Sequence, residues 1–476
     1  MNAFPNFIVI QAEDAGRALG CYGDPDARTP ALDALAEQGC RYDQMISTAP
    51  VCAPSRGCLV SGRYPWSLGF HHMRSQLQEA PVTFTEYLRR AGYYVNWASK
   101  TDFNFQPRAE HADKMPEAED AWLEELRNGA FPEDQPFFYY TNLCVTHEST
   151  MWGPAEDRGG GVNARIASEH ELPPEQRASP EAVHVPPYLP DTLEIRVDIA
   201  RFYEALAIMD RQAGRILQAL KDTGVEKNTY VIYLSDHGRG LPREKRWLYN
   251  AGVHVSLLVK GPTSEAGKVE QNPVSMVDLA PTILSLAGVD VPDHFEGQVI
   301  CGPAAAPPRT YAFTGRDRMD ENFDRLRAVR SKRHHFIRND FPQLPYAPRH
   351  TYLEKMGTMR VLRERHSQGL LAPEQALFMS RHKPPEELYD IEKDPHMVHN
   401  LTEQDAYHDI LVEMRQALDA FQQKIPDMGQ QPERKLVDAG VVVDKIEEYR
   451  QRLQPLPENY ALEDFRHSVL EMPEKQ

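Results

Sequence analysis

The sequence has few cysteines, no long apolar run and no excess of positive charge. Six cysteines in 476 residues are too few for a disulfide-stapled scaffold, and no pair of them has the spacing of a zinc ribbon. No apolar run approaches the roughly 20 residues that a membrane helix needs. The first residues, MNAFPNFIVIQ, lack the basic start and long apolar core of a signal peptide. We therefore expect no membrane association, and a cytoplasmic location for the chain as given, or a periplasmic or secreted one if a leader was removed.

The balance of charge is acidic. Lysine and arginine number 53 against 70 aspartates and glutamates, which gives a formal net charge of −17. A nucleic-acid-binding protein relies on a broad positive field, so we expect no nucleic-acid partner. An anionic substrate would need a local group of basic side chains within this acidic body.

Stretches with strand character alternate with amphipathic helical stretches. FIVIQ, PFFYYTNLCVTH and NTYVIYLSDHG have the composition of buried strands. TPALDALAEQG predicts a helix that Thr29 caps, Pro30 opens and Gly39 ends. Residues 192–223 carry apolar side chains at helical spacing. The alternation predicts an α/β fold with a mainly parallel sheet covered by helices.

Changes in composition divide the chain. The proline-rich stretch CGPAAAPPRT, residues 301–310, is typical of a linker. It is followed by a basic segment with strand character, DRLRAVRSKRHHFIRN, and by helical patterns. We predict a large domain over residues 1–305, a smaller C-terminal α+β subdomain with a short antiparallel sheet over 306–425, and a polar extension over 426–476.

Polar side chains follow the predicted strands, at the edge where ligands bind in such sheets. They are Glu13, Asp14, Lys100, Asp102, His147, Asp236 and His237. Three carboxylates and an imidazole suit an oxygen-rich site for a divalent cation. Helix capping explains either acidic pair taken alone equally well. Two such pairs at strand ends of one sheet favour a metal site.

Cys52 opens the stretch CAPSRGCLVSGR. From its residue type alone it is a buried thiol, a disulfide partner, a nucleophile or the precursor of a modified side chain. The stretch resembles the sulfatase signature Cys-x-Pro-Ser-Arg and its continuation. The matching positions are Cys52, Pro54, Ser55, Arg56, Leu59, Gly62 and Arg63.

Other stretches extend this resemblance in the same order along the chain. IVIQAED, LGCYGD and TPALDALAEQG come before the signature, and VIYLSDHG, REKRWLYNAGVHV, VDLAPTILSLAG and ELYDIEKDPHMVHNL come after it. Over roughly residues 6–402 the chain resembles type I, formylglycine-dependent sulfatases of the alkaline-phosphatase superfamily. SKTDFNF, FHHMRS, THES and GRDRMDENFD are similar to the branch with heparan N-sulfatase-like enzymes and bacterial polysaccharide sulfatases.

The resemblance implies an alkaline-phosphatase-like fold and a partner that matures the protein. In this family a formylglycine-generating enzyme oxidises the cysteine at the position of Cys52 to an aldehyde. One hydroxyl of the aldehyde hydrate attacks sulfur, and the other allows sulfate to be expelled. The resemblance also implies one divalent cation, calcium ahead of magnesium or manganese. Its ligands would be Glu13, Asp14, Asp236, His237 and the oxygen derived from Cys52.

Two of these ligand positions depart from the common pattern. Glu13-Asp14 stands where family members often have Asp-Asp, and Asp236-His237 stands where they often have Asp-Asn. A longer carboxylate and an imidazole still suit a divalent cation, but they leave the choice among calcium, magnesium and manganese open.

The resemblance assigns a sulfate clamp to Arg56, Lys100 and Lys245, with Lys245 and His147 protonating the departing oxygen or nitrogen. Family members often carry Lys-x-His where this chain has Lys-Thr-Asp, ending at Asp102. The histidine that promotes collapse of the hydrate is then absent. Either Asp102 or another histidine takes its role, or Asp102 orients Lys100 or binds a sugar hydroxyl.

We expect a sulfated poly- or oligosaccharide as substrate, with an ester-linked or nitrogen-linked sulfate. The candidate contacts to the sugar are His72, Arg74, Asn104 and Arg316. Two alternatives stay open: a phosphate or phosphonate ester hydrolase of the same superfamily, and an inactive carbohydrate-binding relative if Cys52 is not matured. The sequence does not decide the oligomeric state, and a homodimer is one option.

Overall fold

The computed structural model describes residues 4–118, 121–132, 134–152, 172–173, 176–445 and 448. The strands in these residues are β1 (Asn6–Ala12), β2 (Cys40–Tyr42), β3 (Met45–Ile46), β4 (Ser75–Leu77), β5 (Tyr94–Trp97), β6 (Phe137–Leu143), β7 (Thr229–Ser235), β8 (His254–Val255), β9 (Leu257–Lys260), β10 (Lys268–Glu270), β11 (Val274–Ser275), β12 (Ala312–Arg316), β13 (Leu326–Arg330), β14 (His334–Asn339), β15 (Glu386–Asp390) and β16 (Val442–Asp444). The α-helices are α1 (Pro30–Gln38), α2 (Cys52–Ser61), α3 (Pro65–Leu68), α4 (Phe84–Arg90), α5 (Leu123–Arg127), α6 (Leu193–Asp222), α7 (Asn250–Val253), α8 (Leu279–Leu286), α9 (Gly357–Ser367), α10 (Pro373–Ala376), α11 (His408–Lys424) and α12 (Glu433–Asp438).

A mainly parallel sheet of seven strands runs in the order β10-β2-β9-β7-β1-β6-β5. β1 is parallel to β6 and β7, with Ile10 opposite Thr141 on one side and Tyr233 on the other. Only β9 runs against its neighbours β2 and β7. Every residue of β1, β6 and β7 is buried, as expected of strands covered on both faces. The predicted α/β architecture is confirmed.

Helices cover both faces of this sheet. On β1, Ile8 and Ile10 pack in one hydrophobic core with α1 and α6. Phe7 and Val9 point the other way and pack in a second core with α2, α4 and α8. The two cores follow from the alternation of side chains along a strand.

The longest helix of the described residues is α6, which covers nearly all of the predicted stretch 192–223. The Thr192 side chain caps its start by accepting a hydrogen bond from the Ile195 N–H. Among the helices that the structure describes, α6 included, none is both long and apolar enough to cross a membrane.

A second, antiparallel sheet follows the linker region, in the order β12-β13-β14-β15. Val329 of β13, Phe336 of β14 and Leu388 of β15 pack against Leu411 and Leu418 of α11. The short antiparallel sheet predicted for the C-terminal subdomain is therefore confirmed. The exact domain boundaries stay predictions.

The C-terminal segment, defined as residues 426–445, folds back onto the rest of the molecule. Its strand β16 pairs antiparallel with β4 of the large domain. Two buried ion pairs fix it to the small sheet and the loop after β12: Arg327–Asp427 at 2.7 Å and Arg318–Glu433 at 2.6 Å. This described part of the predicted polar extension is thus folded structure.

Candidate active site

The site lies at the carboxyl edge of the main sheet. Glu13 and Asp14 follow β1, His147 comes shortly after β6, and Asp236 follows β7. Because these strands are parallel neighbours, their ends meet. The Asp14 N–H donates to Asp236 Oδ1 at 3.0 Å, and Asp14 adopts a left-handed φ of 50°, which is uncommon outside glycine.

The helix α2 starts at Cys52, and all ten of its residues are buried. The Ser47 and Ser55 hydroxyls donate to the carbonyl oxygen of Asp236 at 2.6 and 2.7 Å. These two bonds hold the start of the helix against the end of β7. As a result, Sγ of Cys52 lies 3.3 Å from Nε2 of His237.

Cys52 itself is a protonated thiol near neutral pH. Its residue is only 4% exposed, and burial raises the pKa of the thiol to about 12 although Lys100 and Lys245 act to lower it. A protonated thiol is a weak nucleophile. The Cys52 sulfur forms no disulfide with any described residue, so the disulfide alternative for Cys52 is not supported.

Four side chains can share one cation. One donor atom from each of Asp14, Cys52, Asp236 and His237 lies within 4.8 Å of the others, and all four residues are buried. Asp236 Oδ2 is buried and accepts no hydrogen bond from any residue that the structure describes. His237 Nδ1 lies 3.0 Å from the carbonyl oxygen of Gly238, which places the ring proton on Nδ1 and leaves Nε2 as a ligand. The donor set fits a divalent cation.

Glu13, also predicted as a metal ligand, lies outside this group of four. Its Oε1 accepts from Lys100 Nζ and lies 3.5 Å from Arg56 Nη2. Burial acts to raise the pKa of Glu13, but Lys100, His147 and Arg56 hold it well below the usual value. In the structure Glu13 therefore pairs with the Lys100 and Arg56 side chains, and its role as a metal ligand stays a prediction.

Arg56 is buried in the first turns of α2. Its Nη1 donates to the Tyr140 hydroxyl at 2.8 Å, and that hydroxyl donates to Gln11 Oε1 at 2.7 Å. The Tyr140 ring stacks on Trp97 with centroids 3.6 Å apart. Tyr140 was not predicted as a site residue, because only its place in the middle of the sheet puts its hydroxyl beside Arg56.

Lys245 lies in the loop after β7 and contacts the carboxylates of Asp14 and Glu148. Its Nζ donates to Asp14 Oδ2 at 2.8 Å and lies 2.9 Å from Glu148 Oε1. Arg246 donates to both Glu148 oxygens, at 2.7 and 2.8 Å. Glu148 and Arg246 were missed by the sequence analysis. The available signal was that each directly adjoins a predicted residue, His147 or Lys245.

Lys100 and Asp102 form the more open side of the site. Lys100 Nζ lies 3.2 Å from Asp102 Oδ2, and both side chains are partly exposed. His147 Nδ1 lies 2.8 Å from the Ser149 hydroxyl. Burial, followed by the charge of Lys245, lowers the pKa of His147, so its imidazole is neutral near pH 7.

The four predicted sugar contacts separate into two groups. Arg74 and Asn104 line a cavity of about 350 Å³ together with Asp102. His72 is buried, and its Nδ1 accepts from the Arg318 N–H at 3.2 Å. Arg316 is buried as well, in an ion pair with Asp324 at 3.2 Å. The structure does not bring His72 and Arg316 to the cavity surface, because both are taken up by internal pairs.

Comparison with known proteins agrees with this geometry. Residues 5–289 match the family model described as sulfatase, and residues 241–338 match the one described as N-sulphoglucosamine sulphohydrolase, C-terminal. The chain is 33% identical over 468 residues to an ulvan-active sulfatase of Formosa agariphila, and the aligned region covers 91% of this chain and 77% of that protein. It is 28% identical over 312 residues to human N-sulphoglucosamine sulphohydrolase, with 61% of this chain and 62% of that one covered.

The fold also has close structural counterparts. A 2-O GAG sulfatase superposes with a TM-score of 0.65 at 19% identity, covering 98% of this chain and 96% of the other. At that identity the superposition supports the fold alone.

Proposed function

Because the chain belongs to the sulfatase family, we propose that it hydrolyses sulfate groups, ester-linked or nitrogen-linked, on a sulfated poly- or oligosaccharide. One observation carries the proposal: a donor atom from each of four residues lies within 4.8 Å of the others, in Asp14, Cys52, Asp236 and His237. The Lys245 ammonium lies 2.8 Å from the Asp14 carboxylate. The relatives named for ulvan and for N-sulphoglucosamine support a sulfated saccharide as substrate.

The proposal includes oxidation of Cys52 to formylglycine by a maturation enzyme. A buried thiol with a raised pKa lacks a nucleophilic oxygen and a second group to expel sulfate. A hydrated aldehyde at the same position would supply two hydroxyls in the neighbourhood of Asp14 and Asp236. The geometry around position 52 suits that change, since no disulfide occupies the sulfur.

The proposed cofactor is one divalent cation, with calcium as the first choice and magnesium and manganese as the other two. Asp14, Asp236 and His237 would hold it together with the oxygen at position 52. The buried Oδ2 of Asp236, which accepts no hydrogen bond within the described part of the chain, supports this assignment. When bound, such a cation polarises the sulfate oxygens as a Lewis acid.

The remaining side chains balance the charge of the sulfate. Arg56 and Lys245 are buried cations fixed by Tyr140 and Glu148, so they need no reorganisation when charge builds on the substrate. His147 is neutral in this state, and an anionic sulfate beside it would raise its pKa. It can then hold the proton that the departing sugar oxygen or nitrogen requires.

Two measurements test the proposal. Oxidation of Cys52 to formylglycine shifts the mass of its peptide by about −18 Da. Protein that carries this shift should hydrolyse 4-nitrophenyl sulfate faster than 4-nitrophenyl phosphate. Faster phosphate hydrolysis would favour the phosphoesterase alternative, and binding of sulfated saccharides with an unshifted peptide would favour the inactive relative. The maturation partner and the location (cytoplasmic for the chain as given, periplasmic or secreted if a leader was removed) stay predictions, and a homodimer stays one option.

A further inference from the structure

Lys355 is a half-buried cation that lies near two aromatic rings. Among the residues that the structure describes, none places a carboxylate within ion-pair distance of its Nζ. That Nζ lies 4.5 Å from the centroid of the Trp152 ring and 5.9 Å from that of Tyr352. Burial lowers the pKa of the Lys355 ammonium, and Glu148 acts against that shift. Aromatic faces offset part of the cost of burying a charge, but an anion offsets more.

Glu148 is not available to pair with Lys355. Its two oxygens accept from Arg246, and Lys245 lies 2.9 Å from one of them. The Arg246 guanidinium in turn stands 5.7 Å from the Tyr352 ring centroid. Lys355 is therefore separated from the proposed sulfate clamp by a short chain of contacts.

Arg74 stands near the Tyr352 ring as well, 5.8 Å from its centroid. Its Nε donates to Asp320 Oδ1 at 2.6 Å, and its side chain is 28% exposed. Burial acts to raise the pKa of Asp102 at the open side of the site, but the charges of Lys100 and then Arg74 lower it. The contacts thus connect Tyr352 to the site by two routes, through Arg246 and through Arg74.

The partly exposed residues Arg74, Tyr352 and Lys355 form a surface suited to an anionic sugar, the Tyr352 wall, and the buried Trp152 packs beside it. The Trp152 and Tyr352 rings meet edge to face with centroids 5.3 Å apart. Aromatic rings with cations beside them offer apolar area for a sugar ring and positive charge for its substituents. In a chain of net charge −17, such a local arrangement of basic groups is what an anionic ligand requires.

We propose that Lys355 and Arg74, both next to Tyr352, form a second anion subsite that binds a carboxylate or a further sulfate on the saccharide. The subsite rests on the proposed function, since it recognises a group next to the sulfate to be removed. It makes polyanionic saccharides the preferred substrate class.

Binding to a Cys52→Ala protein tests the subsite without turnover. The probes are a disaccharide of N-sulfoglucosamine and glucuronate, its carboxyl-reduced form with glucose, and the reduced form with an added 6-O-sulfate. A charge-assisted hydrogen bond contributes enough for about tenfold tighter binding of each charged probe than of the neutral one. The two charged probes separate a carboxylate subsite from a sulfate subsite, and preference for either supports the proposal.

Substitution of the subsite should remove this preference. Lys355→Gln and Arg74→Gln, each in the Cys52→Ala background, should bring the ratio of dissociation constants close to one. Lys332→Gln is the matched control, because Lys332 is exposed and bonded only to Gln271 in the described structure. Lys355→Arg keeps the positive charge and should keep the preference for charged probes. Its binding therefore shows whether a loss in Lys355→Gln comes from the charge or from a folding defect.

Two results would overturn the subsite: equal or undetectable binding of charged and neutral probes, or a preference that persists in both Gln variants. The proposed function fails separately, if matured unsubstituted protein does not hydrolyse any sulfate probe. A preference for charged probes without hydrolysis would leave the subsite standing alone.

Discussion

The Sγ atom of Cys52 lies 3.3 Å from Nε2 of His237, although the two residues are 185 positions apart. One comes from the first residue of a helix and the other from the end of a central strand. The carbonyl of Gly238 orients the imidazole so that Nε2 faces the sulfur. Position 52 therefore shares its surroundings with the carboxylates of Asp14 and Asp236.

Cys52→Ser should abolish repeated turnover while leaving the fold intact. Serine supplies one hydroxyl and no second group for expelling sulfate, so the expected loss of steady-state rate on 4-nitrophenyl sulfate is at least about 10³-fold. Cys301→Ser, at a half-buried thiol elsewhere, is the control and should stay active. Multiple turnovers by Cys52→Ser would contradict the formylglycine mechanism.

Removal of the cation should lower both activity and stability. Asp14 and Asp236 lie close together, and without a positive ion their charges repel. We expect EDTA to abolish turnover, and the cation concentration to raise the unfolding midpoint of the protein. Asp236→Ala should lose bound metal in elemental analysis, whereas His237→Asn, which restores the common family pattern, should retain it. Full activity after exhaustive EDTA treatment would exclude the site.

The variant Asp102→Asn distinguishes a role of Asp102 as the catalytic base from a role as a contact to the sugar. Burial opposes ionisation of Asp102, but Lys100 and Arg74 lower its pKa, so it is a carboxylate at neutral pH. If it is the base, the variant should release one equivalent of desulfated product and then stall. If it contacts sugar, KM for a saccharide should rise while an aryl sulfate is little affected.

The matched control for this variant is Asp113→Asn, at a partly exposed ion pair with Arg89. Unchanged steady-state rates for Asp102→Asn on both substrates would refute both roles.

Glu148→Gln should disturb the sulfate clamp at Lys245 without removing a group that contacts the substrate. It removes the charge that holds Lys245 and Arg246, both buried, and loss of one partner from such a pair costs about 3–5 kcal/mol. We expect a lower unfolding midpoint together with a lower kcat. Glu265→Gln, at the exposed pair with Lys268, should change neither quantity. Wild-type stability of Glu148→Gln would show that the pair contributes little.

Asp427 should make the protein sensitive to acid. Burial acts to raise its pKa, but Arg327 lowers it to about 2 from the usual 3.8 of an aspartate. Because the folded pKa is the lower one, the stabilisation is complete above pH 4 and is lost as the pH falls towards 2. The shift corresponds to about 2 kcal/mol.

Urea unfolding of Asp427→Asn between pH 5 and pH 3 measures how much the ionised Asp427 contributes to the free energy of unfolding. The variant should be less stable at pH 5, and its stability should depend less steeply on pH. Asp419→Asn, at a largely exposed pair with Arg338, should follow the unsubstituted protein. Parallel pH curves for Asp427→Asn and the unsubstituted protein would contradict the prediction.

The sequence predicted those features that depend on local pattern. The strands before Glu13, His147 and Asp236 have buried, β-rich composition, and parallel pairing necessarily brings their ends together. Side chains that meet across long separations carry no such pattern. Glu148 and Arg246 are 98 residues apart, so the sequence offered no pattern that joins them.

The assignment of basic residues shows a second limit. Arg74 and Arg316 look alike in sequence, but one is partly exposed beside a cavity and the other is buried against Asp324. The type of residue does not tell which acidic partner the fold will provide. The pairing of β16 with β4 was likewise not predicted, since both strands are only three residues long.

The complete burial of α2 sets a time limit on any enzyme that modifies Cys52. Ser47 and Ser55 bond the start of α2 to the end of β7, and His237, which lies beside the sulfur, is synthesised 185 residues after Cys52. At a synthesis rate of about 5–20 residues per second, that interval lasts roughly 10–40 s. During it the cysteine is on a nascent chain whose binding partners do not yet exist.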